Sequence, residues 1–141
     1  MFTEILLPSD GSIASGAVIR KCMAFAKSID ARVTGVHVMP EFNTSARSAI
    51  TLEQDIKSHE ARARQIFAEI ECEAKELGVP CTTRICTGSQ PYEKIIEVAR
   101  NNGCDLICMA SHGRHGAKGV LLGSQTQKVL THSPIPVLVF R

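Results

Sequence analysis

Cys104-Asp105-Leu106-Ile107-Cys108-Met109-Ala110 is apolar at every position but Asp105. A half-buried strand alternates apolar with polar residues. A run without alternation reads as a strand covered on both faces, the condition of a central strand in a parallel sheet. The flanks of this run agree. Upstream, Gly88-Ser89-Gln90-Pro91 opens a helix through Ile95, Ile96, Val98 and Ala99 that stops near Gly103. Downstream, a glycine-containing loop over 111–122 leads to a short helix from Ser124 to about His132. Pro134-Ile135-Pro136 then feeds a last strand, Val137-Leu138-Val139-Phe140.

The N-terminal half repeats the alternation. Glu4-Ile5-Leu6-Leu7-Pro8 reads as a short buried strand ended by Pro8 and the turn-formers Ser9-Asp10-Gly11-Ser12. Ser12 can cap a helix to about Ile29, with Ala17, Phe25, Ala26 and Ile29 available to its buried side. Residues 32–39, rich in β-branched side chains and followed by Pro40, form a second strand, and 41–49 is a polar connector. Leu52, Ile56, His59, Ala63, Ile66, Ile70, Ala74 and Leu77 step by three or four, the stripe of a long amphipathic helix over about 50–77 closed by Gly78. Residues 80–87 complete the pattern as a third strand. Five strands joined by helical crossovers imply an α/β fold, a parallel sheet covered by helices on both faces. Ligands of such sheets sit beyond the carboxyl ends of the strands, where the winding reverses. If the first and fourth strands are neighbours, the loops at 9–12 and 111–114 share that crevice.

Composition narrows the function. The 141 residues have the size of one domain, and 44% hydrophobic with 21% charged residues excludes wholesale disorder. Sixteen basic against 14 acidic residues give a net charge of +2; with no Trp, one Tyr and five Phe there is no platform for stacking bases. Neither nucleic acid nor membrane is an expected partner. No run approaches the roughly 18 apolar residues of a membrane helix, and Met1-Phe2-Thr3-Glu4 carries no basic targeting region, so a cytoplasmic location is expected. Cys22, Cys72, Cys81, Cys86, Cys104 and Cys108 include no CxxC pair and read as reduced, structural thiols.

The chemistry gathers in Met109-Ala110-Ser111-His112-Gly113-Arg114-His115-Gly116-Ala117-Lys118-Gly119-Val120-Leu121-Leu122-Gly123-Ser124. Its glycines let backbone approach a ligand, and Gly123-Ser124 stands at a helix start, where free N–H groups and the dipole suit a phosphate. Ser124 with Gln127 also fits an S-x-x-Q capping box, so a merely well-capped helix is the competing reading. Asp10, after the first strand, suits a ribose hydroxyl or Mg²⁺, and equally a turn or helix cap. Arg114 and Lys118 either meet phosphates or keep a loop solvated. His112 and His115 have the spacing of metal ligands but no third ligand close in sequence; His37 and His132 read as structural. Walker and dinucleotide glycine motifs are absent, as are a receiver-type acceptor aspartate and a nucleophile elbow.

These residues resemble the universal stress protein family over essentially the whole chain. The nucleotide-binding branch has the pattern G-x2-G-x9-G-[S/T], here Ala110-x2-Gly113-x9-Gly123-Ser124, with alanine where the strict motif has glycine. Ile5-Leu6-Leu7-Pro8-Ser9-Asp10-Gly11-Ser12, Val36-His37-Val38 and Ser133-Pro134-Ile135-Pro136-Val137-Leu138-Val139 match further family signatures. The resemblance implies a single Rossmann-like domain over 1–141, of the adenine nucleotide alpha hydrolase type, with strand order 3-2-1-4-5. It implies a nucleotide site of Pro8, Ser9, Asp10, Val38, Met109, Ala110, Gly113, Arg114, Gly123, Ser124 and Gln125. Asp10 would lie by the ribose or the Mg²⁺–phosphate region, and Val38 and Met109 would bound the adenine. Gly113, Gly123 and Ser124 would give N–H groups to the phosphates.

The expected ligand is therefore ATP, or AMP or ADP, with Mg²⁺, in a nucleotide-dependent regulator of the stress response. A dedicated enzyme is not expected, because no general base or nucleophile is evident; slow ATP hydrolysis or autophosphorylation stays open. The alternatives are a protein-interaction module of the same fold without nucleotide and a small ATP-using transferase. A homodimer through residues 137–140 is expected from the apolar edge strand and from the resemblance, and a higher oligomer stays open.

Overall fold

A computed structural model describes residues 1–43, 48–112 and 122–141. The elements run β1 (Glu4–Pro8), α1 (Ile13–Ser28), β2 (Arg32–Met39), α2 (Ala49–Leu77), β3 (Cys81–Thr87), α3 (Pro91–Asn101), β4 (Leu106–Ala110), α4 (Ser124–His132) and β5 (Val137–Phe140). The five strands form one parallel sheet in the order β3-β2-β1-β4-β5. The chain winds outward from β1 through β2 to β3, then returns to β4 on the other side of β1. The winding reverses between β1 and β4, so the expected crevice lies there.

The two-residue period of the strands divides the core into two layers. Ile5 and Leu7 of β1 with Leu106 and Cys108 of β4 face α1 and α2, packing on Val18, Ile19, Cys22, Ile66 and Ile70. Leu6, Ile107 and Met109 face α3 and α4, against Ile95, Ala99 and Val129. The central strands are buried on both faces, which is why 104–110 shows no alternation. Strand β4 is shorter than that run, because Asp105 is used at its entry. Its carboxylate accepts N–H bonds from Thr3 and Glu4, pinning the start of β1. Those donors outweigh the opposing effect of burial and hold the Asp105 carboxyl below its ordinary value.

Three local expectations need correction. The fully buried residues of α1 are Ser15, Val18, Ile19, Cys22, Met23 and Ala26; Phe25 and Ile29 pack partly buried against that core as expected, and Ala17 of the expected set does not join it. In α2 only Ala63, Ile66, Ile70 and Ala74 of the stripe are buried, while Leu52, Ile56 and His59 are half-buried and Leu77 is exposed. The reason is length. The 29 residues of α2 span about 43 Å, whereas the eight-residue β2 spans about 26 Å. Because α2 runs back to the start of β3, its N-terminal half overhangs the carboxyl ends of the strands. Finally, α4 is capped by Gly123 with no side-chain bond, so Ser124 is its first residue and the S-x-x-Q box does not form. The six cysteines are free thiols, with Cys22, Cys104 and Cys108 buried. Among the described residues no helix is long and apolar enough to cross a membrane.

Candidate nucleotide-binding crevice

Strand β1 ends at Pro8, and the loop after it is held by its own polar groups. Ser9 N donates to the Val36 carbonyl at 2.9 Å, continuing the ladder one residue beyond the strand. Asp10 Oδ1 accepts from Ser12 N at 2.9 Å and from Ser15 Oγ at 2.8 Å, so the turn reading of Asp10 is realised. Ser12 Oγ in turn caps α1 through Ser15 N. Gly11 takes φ +77°, which favours glycine, and a Cβ there would stand 3.0 Å from Arg62 Nη2 and 3.1 Å from Ile66.

Beyond this loop lies a cavity of about 410 Å³, within the size range of small-molecule sites. Its floor is the end of the sheet. Pro8, Ser9 and Asp10 come from the first loop, Val36 and Val38 from β2, and Met109 and Ala110 from β4. Gly123, Ser124 and Gln125 enter from the start of α4. Every described residue of the expected site therefore lines one cavity. Gly113 and Arg114, with His115, Gly116, Lys118 and Gly119, lie outside the described residues, as does part of the 41–49 connector.

Backbone parity explains why Val38 matters. In a parallel ladder the N–H and C=O of one residue face the same neighbour, and successive residues alternate. Arg32 N bonds Thr3 O and Val36 O accepts from Ser9 N, so residues 32, 34, 36 and 38 of β2 face β1. Strand β1 has ended by then, and its register with β2 stops at Pro8↔Val36. The N–H and C=O of Val38 thus border the crevice, with the apolar surfaces of Pro40, Ile95 and Met109 around it. Such an edge offers a donor and an acceptor beside apolar walls. The departure at Ala110 is also accounted for: its methyl packs against the α1-side core, and its carbonyl accepts from Thr126 Oγ1 at 2.8 Å.

The start of α4 has another character. Gly123 N donates to Ser111 O at 2.6 Å, and Gly123 brings no side-chain acceptor for the first-turn N–H groups that follow. Gln125 Oε1 is occupied by Tyr92 N at 2.9 Å, tying α4 to α3. Cationic and imidazole groups line the same cavity from the other elements. Arg62 Nη2 donates to Asp10 O at 2.8 Å, and His37, His59 and His112 also line the wall. His37 Nδ1 lies 2.9 Å from Ser9 O, which can only accept, so Nδ1 carries the proton. Burial lowers the His37 pKa; the Ser9 carbonyl and Asp10 oppose this, and Arg62 and His59 add to it.

Sequence reading missed His59 and Arg62 as wall residues and took His37 as purely structural. Both of the α2 residues sit on its overhang, which the arithmetic of helix and strand length could have exposed. His132 ends α4 and packs on the Tyr92 ring, centroids 5.2 Å apart, in the structural role expected of it. Among the described residues no group of three or more His, Cys, Asp or Glu is arranged to hold a metal ion.

A five-stranded parallel sheet wound in the order β3-β2-β1-β4-β5, with a cavity at its switch point, defines a doubly wound, Rossmann-like α/β protein. The universal stress protein family profile matches residues 1–141, and the chain belongs to that family. A universal stress protein of Thermus aquaticus is 31% identical over the full length of both chains. Universal stress protein MJ0577 of Methanocaldococcus jannaschii is 29% identical, covering 100% of this chain and 96% of its own. Its solved structure superposes with a TM-score of 0.87 over 99% of this chain and 95% of that one. Two solved universal stress proteins share the fold as complexes, one with cAMP and one, from Archaeoglobus fulgidus, with dAMP. The first is 22% identical with a TM-score of 0.76, covering 99% of this chain and 97% of its own. The second is 16% identical with a TM-score of 0.69, covering 100% and 98%.

Proposed function

We propose that the crevice binds an adenine nucleotide, ATP in the first place, and that the chain acts as a nucleotide-dependent regulator in stress response. One observation carries this reading. A single cavity joins the amide edge of Val38 beyond the end of β1, set among apolar walls, to a helix start that has no side-chain cap among the described residues. The first half suits a purine ring, whose edge needs one donor and one acceptor. The second suits phosphates, which take backbone N–H groups and the helix dipole. The relatives in complex with cAMP and dAMP carry adenine on this same fold, which supports the choice of base.

Pro8, Ser9, Asp10, Val38, Met109 and Ala110 would hold the nucleoside, and Gly123, Ser124 and Gln125 the phosphates, joined by Gly113 and Arg114. Mg²⁺ arriving with the phosphates would meet Asp10, the one carboxylate among the described wall residues; a single carboxylate with phosphates and water is an ordinary Mg²⁺ environment. Asp10 Oδ1 already takes two hydrogen bonds, so the loop presents that carboxylate in a fixed place. Six free thiols accord with a reducing compartment, and we place the protein in the cytoplasm. The 141 residues would act as one domain that pairs with a second copy through β5.

The test is calorimetry with Mg–ATP together with mass spectrometry of any nucleotide released from the purified protein. Micromolar binding is expected, and Gly123→Val should abolish it. Gly123 has φ −67°, open to any residue, so the substitution adds bulk at the phosphate position without backbone strain. Unchanged affinity in a folded Gly123→Val protein would sink the site assignment.

A further inference from the structure

Arg62 stands on the overhang of α2, immediately before the helix enters its buried stretch at Ala63. A guanidinium carries five N–H donors in a rigid fork. Here Nη2 bonds a neutral acceptor, the Asp10 carbonyl. The ion pairs among the described residues are Arg32–Glu4, Lys57–Glu53 and Lys94–Glu97, and none includes Arg62. The cation is nevertheless partly buried and forms part of the cavity wall. Charge held off water without an opposite partner is costly, and an incoming anion would remove that cost.

The loop is shaped around this group. Gly11 supplies the turn at φ +77° and also leaves room for the guanidinium, because a Cβ there would stand 3.0 Å from Nη2. The approach direction is equally informative. Arg62 belongs to the helical layer of α1 and α2, whereas the helix start at Ser124 belongs to the layer of α3 and α4. The two reach the cavity from opposite faces of the sheet. A phosphate chain that begins at α4 and extends across the switch point would meet Arg62 at its far end.

Resting on the nucleotide reading above, we propose that Arg62 binds the terminal phosphate of a nucleoside di- or triphosphate, exchanging the Asp10 carbonyl for phosphate oxygen. Arg62 then sets the preference of the site for ATP over AMP. A monophosphate held at the start of α4 leaves Arg62 on Asp10.

The experiment is calorimetric titration of wild type, Arg62→Gln and Arg62→Lys with Mg–ATP and with AMP, with a thermal melt of each variant. Charge-assisted hydrogen bonds predict that Arg62→Gln weakens ATP about 10- to 100-fold more than it weakens AMP. Arg62→Lys keeps the charge without the fork and should fall between. If Arg62 only props up the 9–12 loop, both nucleotides weaken equally, and the proposal is overturned while the nucleotide reading stands. Unaltered ATP affinity in Arg62→Gln overturns it as well. A wild type that binds neither ligand overturns the nucleotide reading and this proposal with it.

Discussion

Neutral imidazole is the form favoured by the surroundings of His37. The ring is 6% exposed and donates from Nδ1 to the Ser9 carbonyl, so protonation would add its charge at the other nitrogen, in a cavity that already holds the Arg62 guanidinium. Its folded pKa lies below 6.5, with burial as the leading cause. The unfolded chain, with His37 near the ordinary value, therefore binds more protons than the folded one just below that pH. Stability from this group is complete above about 6.5 and declines as the pH falls toward the lowered folded value. Denaturant titrations between pH 7.5 and 5.5 should show this slope, and His37→Asn, which retains a donor for Ser9, should flatten it. Equal slopes in the two proteins would remove His37 from the account. The residue was identifiable as a strand-end histidine; that it faces a cavity beside Arg62 depends on contacts between segments far apart in sequence.

Helix α2 shows what periodicity can and cannot tell. Its repeat of three and four residues fixes which side turns inward, but not how far along the helix there is a sheet to meet. Ile70 is fully buried among Ile5, Leu7, Val33 and Ile66, whereas Ile56, on the same stripe, belongs to neither core cluster. Ile70→Ala should cost about 2–5 kcal/mol of unfolding free energy, and Ile56→Ala much less, each read from chemical denaturation. Comparable losses would mean that the overhang is packed as tightly as the sheet-covered half. The alternation of strands and helices, the two-faced burial of β4 and the ends of most elements were legible because they depend on local patterning. The capping of α4 was not. Ser-x-x-Gln fits a capping box, yet the chain starts the helix one residue early, with Gly123 as cap. The glycine costs side-chain capping and leaves the first-turn donors open to a ligand, which is the sort of local rule a binding site breaks.

At the scale of the whole molecule the sheet has two ends, and they differ. Strand β3 carries Thr82, Thr83, Arg84 and Thr87, polar residues that blunt an exposed edge. Strand β5 is Val137-Leu138-Val139-Phe140, half-buried at each position and paired only with β4 among the described residues. An apolar edge of this kind calls for a partner, and we propose a second copy lying antiparallel against the same strand about a two-fold axis. Backbone parity tells which groups would pair. Ile107 N bonds Pro136 O and Ser111 N bonds Phe140 O, so residues 136, 138 and 140 face β4. Val137 and Val139 therefore present their N–H and C=O groups outward. A proline at Leu138 would break the internal ladder and damage the fold itself, making it a poor probe of association. Val139→Pro removes an outward donor and spares the ladder to β4, a placement that edge strands tolerate. Light scattering should give twice the subunit mass for wild type at micromolar concentration and one subunit mass for Val139→Pro, with both proteins folded by circular dichroism. A wild type of single-subunit mass throughout that range would exclude the β5 dimer, and a dimeric Val139→Pro would move the interface elsewhere.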